Sequence, residues 1–223
     1  MQKIMFNDQC GLTKAVLEGR KTMTRRVIPQ KLVEYILGEF RQEYYEATLD
    51  WLDDKACIEQ YLFIEHTEKL QYKKGDIVAV AQSYRDILNE RDNSHEKFLD
   101  TLIKRYDITP EIPENWESKR NAVATLSAYS NKEFVYPDLM PNRILIADNK
   151  IEQLQDITNT DCMKEGIVKA CGLFGCQGVC ERGDQLFFSS PRAAFAALIG
   201  KVCGRNTWND NPWVIAHSFE KIK

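Results

Sequence analysis

A chain of 223 residues, 43% hydrophobic and 28% charged, is long enough to bury one sizeable core, or one core carrying a substantial insertion. Its apolar runs, Ala193 to Gly200 and Ile77 to Ala81, fall far short of the roughly 20 residues of a membrane span, and Met1-Gln2-Lys3-Ile4 opens no apolar leader, so a cytoplasmic protein without a membrane partner is expected. The net charge of -3 makes any basic cluster a local feature, and seven cysteines, an odd number with no secretion signal, read as reduced thiols.

Lys3 to Phe6 reads as a short strand. The helix after it carries Leu12, Ala15 and Val16 on one face and stops at Gly19, where a C-terminal cap is preferred. The chain leaving that helix, Gly19-Arg20-Lys21-Thr22-Met23-Thr24-Arg25-Arg26, is the most informative stretch. Arg20, Lys21, Arg25, Arg26 and Lys31 follow one another with no acid among them, which makes a local positive field. Lys21 and Thr24 are three residues apart, so an amine able to act as a base and a hydroxyl able to act as a nucleophile can reach one anion or carbonyl together. A solvated basic turn is the plain alternative. Val27-Ile28 should close a strand at Pro29.

From Glu34 to Glu68 ten acids face only Arg41 and Lys55, interleaved with Tyr, Phe and Trp. The aromatic content is too high for disorder and the acids would repel a nucleic-acid backbone, so an inserted, packed decoration at about 32–70 is expected. Lys73 to Asp76 reads as a turn. The run Ile77 to Ala81 then reads as a strand buried on both faces that ends in Gln82-Ser83-Tyr84, and polar groups at the end of a buried strand are where sites are built.

A second insertion is expected at about 87–135, with a helix from His95 to Arg105 and a loop broken by Pro110 and Pro113. Ile144 to Ile146 and Ile151 to Leu154 read as strand segments meeting at a turn near Asp148-Asn149-Lys150. Thr158-Asn159-Thr160-Asp161 opens a short helix that ends at Glu165-Gly166. There the helix dipole disfavours a carboxylate, the bias wanted in a proton donor, while an exposed terminal glutamate is the alternative.

Cys171, Cys176 and Cys180 share a glycine-rich loop without the CxxC knuckle or a neighbouring histidine, so they read as small buried hydrophobes, and no metal or other cofactor is expected. The tail holds an Ala-rich helix opened by Pro191, with Ala194, Phe195, Leu198 and Ile199 inward, ended by Gly204. A closing strand from Trp213 to Phe219 puts Ile215, His217 and Phe219 on one face, with His217 a packed residue.

Four segments then stand in a telling order: Leu17-Glu18-Gly19-Arg20-Lys21-Thr22-Met23-Thr24-Arg25-Arg26; Tyr72-Lys73-Lys74-Gly75-Asp76-Ile77-Val78-Ala79-Val80; Leu154-Gln155-Asp156-Ile157-Thr158 leading to Glu165-Gly166-Ile167; and Trp208-Asn209-Asp210-Asn211-Pro212-Trp213-Val214. This order resembles the ASCH domain family, within it the longer bacterial and phage-borne members with an LxGRKTxTRR opening and an NPWV ending. The resemblance implies an α+β, PUA-like mixed β-barrel with short flanking helices, here one domain over 1–223 carrying both insertions.

One branch of that family comprises N4-acetylcytidine amidohydrolases, in which a lysine accepts a proton, a threonine attacks and a glutamate donates a proton. Lys21 and Thr24 match its GRKTxT motif position by position, and Glu165 falls at the corresponding place after the LxxIT segment. The branch is shorter, without the insertions, the Ala81-Gln82-Ser83-Tyr84 strand end or the Cys-rich loop, so its substrate does not carry over. Other members of the wider family are expected to bind RNA or modified bases without chemistry.

Three functions stand side by side. The first is amidohydrolysis of an N-acylated cytidine-like substrate by Lys21, Thr24 and Glu165. The second is non-catalytic binding of RNA, a nucleoside or a modified base, with Arg20, Arg25 and Arg26 on phosphates and Gln82, Tyr84 or Trp213 against a base. The third is a phage or prophage accessory role, with the acidic-aromatic segment recruiting a protein partner.

Overall fold

Five strands form a mixed sheet in the order β1-β3-β4-β7-β2: β1 (Lys3–Ile4), β2 (Met23–Val27), β3 (Ile77–Val80), β4 (Arg143–Gln153) and β7 (Trp213–Ile222). A hairpin of β5 (Ile167–Ala170) and β6 (Leu173–Cys176) stands apart from it, and short helices complete an α+β chain. The computed structural model describes residues 1–90, 131–176 and 187–222. The helix expected from His95 to Arg105, the loop at Pro110 and Pro113, and Cys180 lie outside the described residues. Among the described residues no helix is long and apolar enough to cross a membrane.

The chain divides into two compact units, one made of Met1–Met5 and Ala79–Arg143, the other of Phe6–Val78 and Ile144–Lys223. In the first, β1 runs parallel to β3 with Lys3 opposite Ala79 and Ile4 opposite Val80. Helix α5 (Tyr84–Glu90) buries Tyr84, Ile87 and Leu88 against Ala79, Ala81, Val135, Leu139 and Met140.

In the second unit, α1 (Leu12–Leu17) buries Leu12, Ala15 and Val16, and Gly19 adopts φ +74° as the chain turns out of the helix. Only glycine takes that left-handed conformation without penalty. The backbone N–H groups of Arg20 and Lys21 both donate to Ala15 O at 2.9 Å, so the helix end aims the basic stretch. Strand β2 then pairs antiparallel with β7, from Met23 opposite Ser218 to Val27 opposite Val214.

The acidic segment is helical: α2 (Gln30–Tyr35), a π-helical turn (Ile36–Phe40), α3 (Arg41–Thr48), α4 (Asp54–Glu59) and a second π-helical turn (Gln60–Glu65). It is packed as expected, but it is more than a decoration. Val33, Ile36, Phe40, Cys57, Ile58, Tyr61 and Leu62 share one core with Ile28 and with Ile151 of β4, and Trp213 and Ile215 of β7 pack against it.

The turn expected near Asp148-Asn149-Lys150 is absent, because β4 runs unbroken over 11 residues. The Asn149 amide donates to Tyr72 O at 3.0 Å and its oxygen receives His217 Nδ1 at 2.7 Å, so the side chain that would otherwise fold back on its own backbone is held in the sheet. β1 is likewise shorter than Lys3 to Phe6, two residues in all.

Helix α6 (Asn159–Lys164) starts as its capping signal requires: Thr158 Oγ1 accepts the Asp161 N–H at 3.0 Å. Helix α7 (Pro191–Val202) is capped by Ser190 and buries Ala194, Phe195, Leu198 and Ile199; the short α8 (Thr207–Asp210) follows Gly204.

Candidate active site

Lys21 leaves α1 pointing inward, with only 2% of its surface exposed. Its amine donates to Met23 O at 2.7 Å, to Glu165 O at 3.0 Å and to Glu165 Oε2 at 2.5 Å. Three acceptors satisfy all three N–H bonds of an ammonium. Against them stands burial, the largest influence, which pushes the amine below the ordinary lysine value; Glu165 pulls it back up, and Arg26 and Arg25 add to the downward push. The net direction is down, toward an amine that releases its proton more readily than a surface lysine.

Glu165 caps the C-terminal end of α6, and Gly166 follows it at φ +99°. A Cβ on Gly166 would lie 3.3 Å from Leu12 Cδ2 and 3.7 Å from Lys21 Cβ, so the glycine lets this helix end close against the Lys21 side chain. The second carboxylate oxygen, Oε1, accepts from Arg25 Nη1 at 2.9 Å. Glu165 is therefore not an exposed terminal glutamate. Two cations grip Glu165 and oppose the helix dipole, and the residue is a buried, salt-bridged carboxylate.

Arg25 also grips Glu152, Nε to Oε1 at 2.8 Å and Nη2 to Oε1 at 2.6 Å, and its guanidinium lies 5.9 Å from the Phe195 ring centroid. Lys150 reaches Glu152 Oε2 at 2.7 Å from the solvent side. The inner cluster thus pairs two cations, Lys21 and Arg25, with two carboxylates, Glu165 and Glu152. Glu152 escaped the sequence reading, although an acid between Ile151 and Leu154 in an apolar strand was a signal that a buried charge needed a partner.

Thr24 is buried on β2 directly opposite His217. Opposed residues of an antiparallel pair share a face and neighbours along a strand alternate, so Thr24 leaves the face opposite to Arg25. The link to Lys21 runs through Met23: the carbonyl that holds the amine belongs to the peptide bond entering Thr24. Among the described residues no hydrogen bond occupies the Thr24 hydroxyl. His217, packed as expected, sits edge-on to Tyr72 with ring centroids 5.5 Å apart, and burial, helped by Arg26, pushes it down to about 4.

The residues expected to contact nucleic acid are placed differently. Arg25 is consumed by Glu152 and Glu165 and offers nothing to a phosphate. Arg20 pairs with Glu18 through Nε at 2.8 Å and Nη2 at 2.6 Å, which leaves its charge largely offset at the surface. Arg26, on the His217 face of β2, is half-buried. In the other unit Gln82 is fully buried, its oxygen receiving Asn142 Nδ2 at 3.0 Å, and Tyr84 belongs to the apolar core of α5, so neither presents a face to a base. Trp213 is half-buried against the core of the acidic segment.

Of the loop cysteines, Cys176 is buried with its thiol on Cys10 O at 2.5 Å. Cys171, expected inside, is exposed at φ +50° in the β5–β6 turn, where the side chain of a tight hairpin corner has no core to enter. No family model, no curated protein and no solved structure matches this chain. The functional reading rests on the residues themselves.

Proposed function

We propose that this chain is a cytoplasmic protein of the ASCH, PUA-like type that hydrolyses an N-acyl amide on a nucleobase or nucleoside, with Lys21 as proton acceptor, Thr24 as nucleophile and Glu165 as proton donor. The observation that carries the reading is the 2.5 Å contact between Lys21 Nζ and Glu165 Oε2, two groups 144 residues apart in the chain and both buried. It supports the pairing of an amine depressed by burial with a carboxylate in direct hydrogen-bond contact with it.

In the proposed reaction Lys21 first passes a proton across the 2.5 Å contact to Glu165, and the Thr24 hydroxyl then adds to the acyl carbon as its own proton passes to the amine so freed, which restores the Lys21 ammonium. The tetrahedral adduct expels the nucleobase amine, which takes a proton from Glu165, leaving an acyl ester on Thr24. Water then adds to that ester, releases the carboxylic acid and restores the threonine. The net change is amide plus water to acid plus amine. Arg25, itself gripped by Glu152, holds the Glu165 carboxylate in place.

Binding of RNA without chemistry needs free cations at the surface, and the pairing of Arg25 with buried carboxylates counts against it. A panel of N-acylated nucleosides, N4-acetylcytidine first, separates the two. The reading expects amine release by the native chain and a loss of about 100-fold or more in Lys21→Ala and in Thr24→Ala, with binding largely spared. No hydrolysis across the panel, together with RNA affinity that falls steeply with salt, would replace it with the binding reading.

A further inference from the structure

Helix α3 buries none of its side chains, and the chain beyond it is built against ordinary surface rules. Leu49 closes the helix at φ +61° and ψ +19°, a left-handed position normally left to glycine or asparagine, and its side chain is 79% exposed. Trp51 follows at 58% exposure, with the exposed Tyr45 ring edge-on to it at 5.6 Å between centroids and the Arg41 guanidinium 5.5 Å above it. A strained leucine and two exposed aromatic rings at one helix end fill no core among the described residues.

Charge names the occupant. Residues 34–68 carry ten carboxylates against Arg41 and Lys55, a surplus of eight negative charges in a chain of net -3, so the remainder is at +5. Arg41 is spent on Asp54 at 2.5 Å and Lys55 lies 3.7 Å from Glu59. The exposed Glu46 and Asp50 stand next to Tyr45, Leu49 and Trp51 in the chain, within this acidic surplus. We propose that this end of α3 is a docking site for a cationic protein segment that presents apolar side chains, its positive charges meeting these carboxylates and its apolar groups covering Leu49 and Trp51. The site is independent of the Lys21–Glu165 cluster.

Calorimetric titration of the full chain with two synthetic peptides of equal charge tests the site, one an amphipathic lysine/leucine helix, the other oligolysine. The amphipathic peptide is expected to bind, to lose about tenfold in affinity at high salt, and to lose a further tenfold or so in Leu49→Gly and in Trp51→Ala. Leu49→Gly is expected at the same time to raise the melting temperature, because it relieves a left-handed leucine, and this gain sets docking apart from folding. Absence of binding, equal binding of oligolysine, or binding indifferent to both substitutions would overturn the proposal. Concentration-dependent dimers in sedimentation that Leu49→Gly abolishes would overturn it in favour of a second copy as the occupant.

Discussion

Lys21 and Glu165 hold each other in a place where neither charge would stand alone. Removing one partner of a buried pair leaves the other uncompensated, at a cost of about 3–5 kcal/mol, whereas replacing both with apolar groups of similar volume is far milder. Chemical denaturation of Lys21→Met, Glu165→Leu and the double variant should accordingly show two severe single losses and a double loss well below their sum. Additive losses would mean that the two side chains do not act as a pair. His217 makes a prediction in pH. Its folded value of about 4 lies below the ordinary 6.5, so above pH 6.5 both folded and unfolded chains hold it neutral and stability is complete. As pH falls from 6.5 toward 4 the unfolded chain takes the proton first, and about 3 kcal/mol of stability is lost across that window. In His217→Gln this part of the acid slope should vanish from unfolding free energies measured between pH 7 and pH 4.

At the scale of elements, short-range signals were readable and long-range ones were not. The stop of α1 at Gly19, the end of β2 before Pro29, the Thr158 cap and the Pro191 start of α7 each depend on residues within a few positions. The continuity of β4 depends on Asn149 meeting Tyr72 and His217, 77 and 68 residues away, and the burial of Glu152 depends on Arg25, 127 residues away. No local pattern encodes those partners. Lys21 and Glu165 were legible as separate residues through motif and helix end, but the grip of Arg25 on both carboxylates was not. Two substitutions test how the helix ends serve the site. Thr158→Ala removes the cap of α6 and should cost about 1 kcal/mol. Gly166→Ala should cost more, because it adds a Cβ 3.3 Å from Leu12 Cδ2 to a backbone at φ +99°, and it should also lower turnover by displacing Glu165 from Lys21. Unchanged thermal melting of Gly166→Ala would contradict that packing.

Across the whole molecule, charge and core are distributed in opposite senses. The acidic helical segment carries ten acids against two basic residues, yet its inner face completes the core around Ile28 and Ile151. Replacing 32–70 with a short Gly/Ser linker should uncover that core, with Ile215 and Trp213 beside it, and abolish cooperative melting; a sharp transition near the native temperature would show the segment to be dispensable. The charge chemistry gathered by the second unit has a more direct test. Incubation with N4-acetylcytidine labelled in the acetyl group, followed by rapid acid quench and peptide mapping, should place the label on the peptide containing Thr24 in the native chain and nowhere in Thr24→Ala. Cytidine released without label on Thr24, or at an undiminished rate by Thr24→Ala, would contradict the proposed acyl transfer.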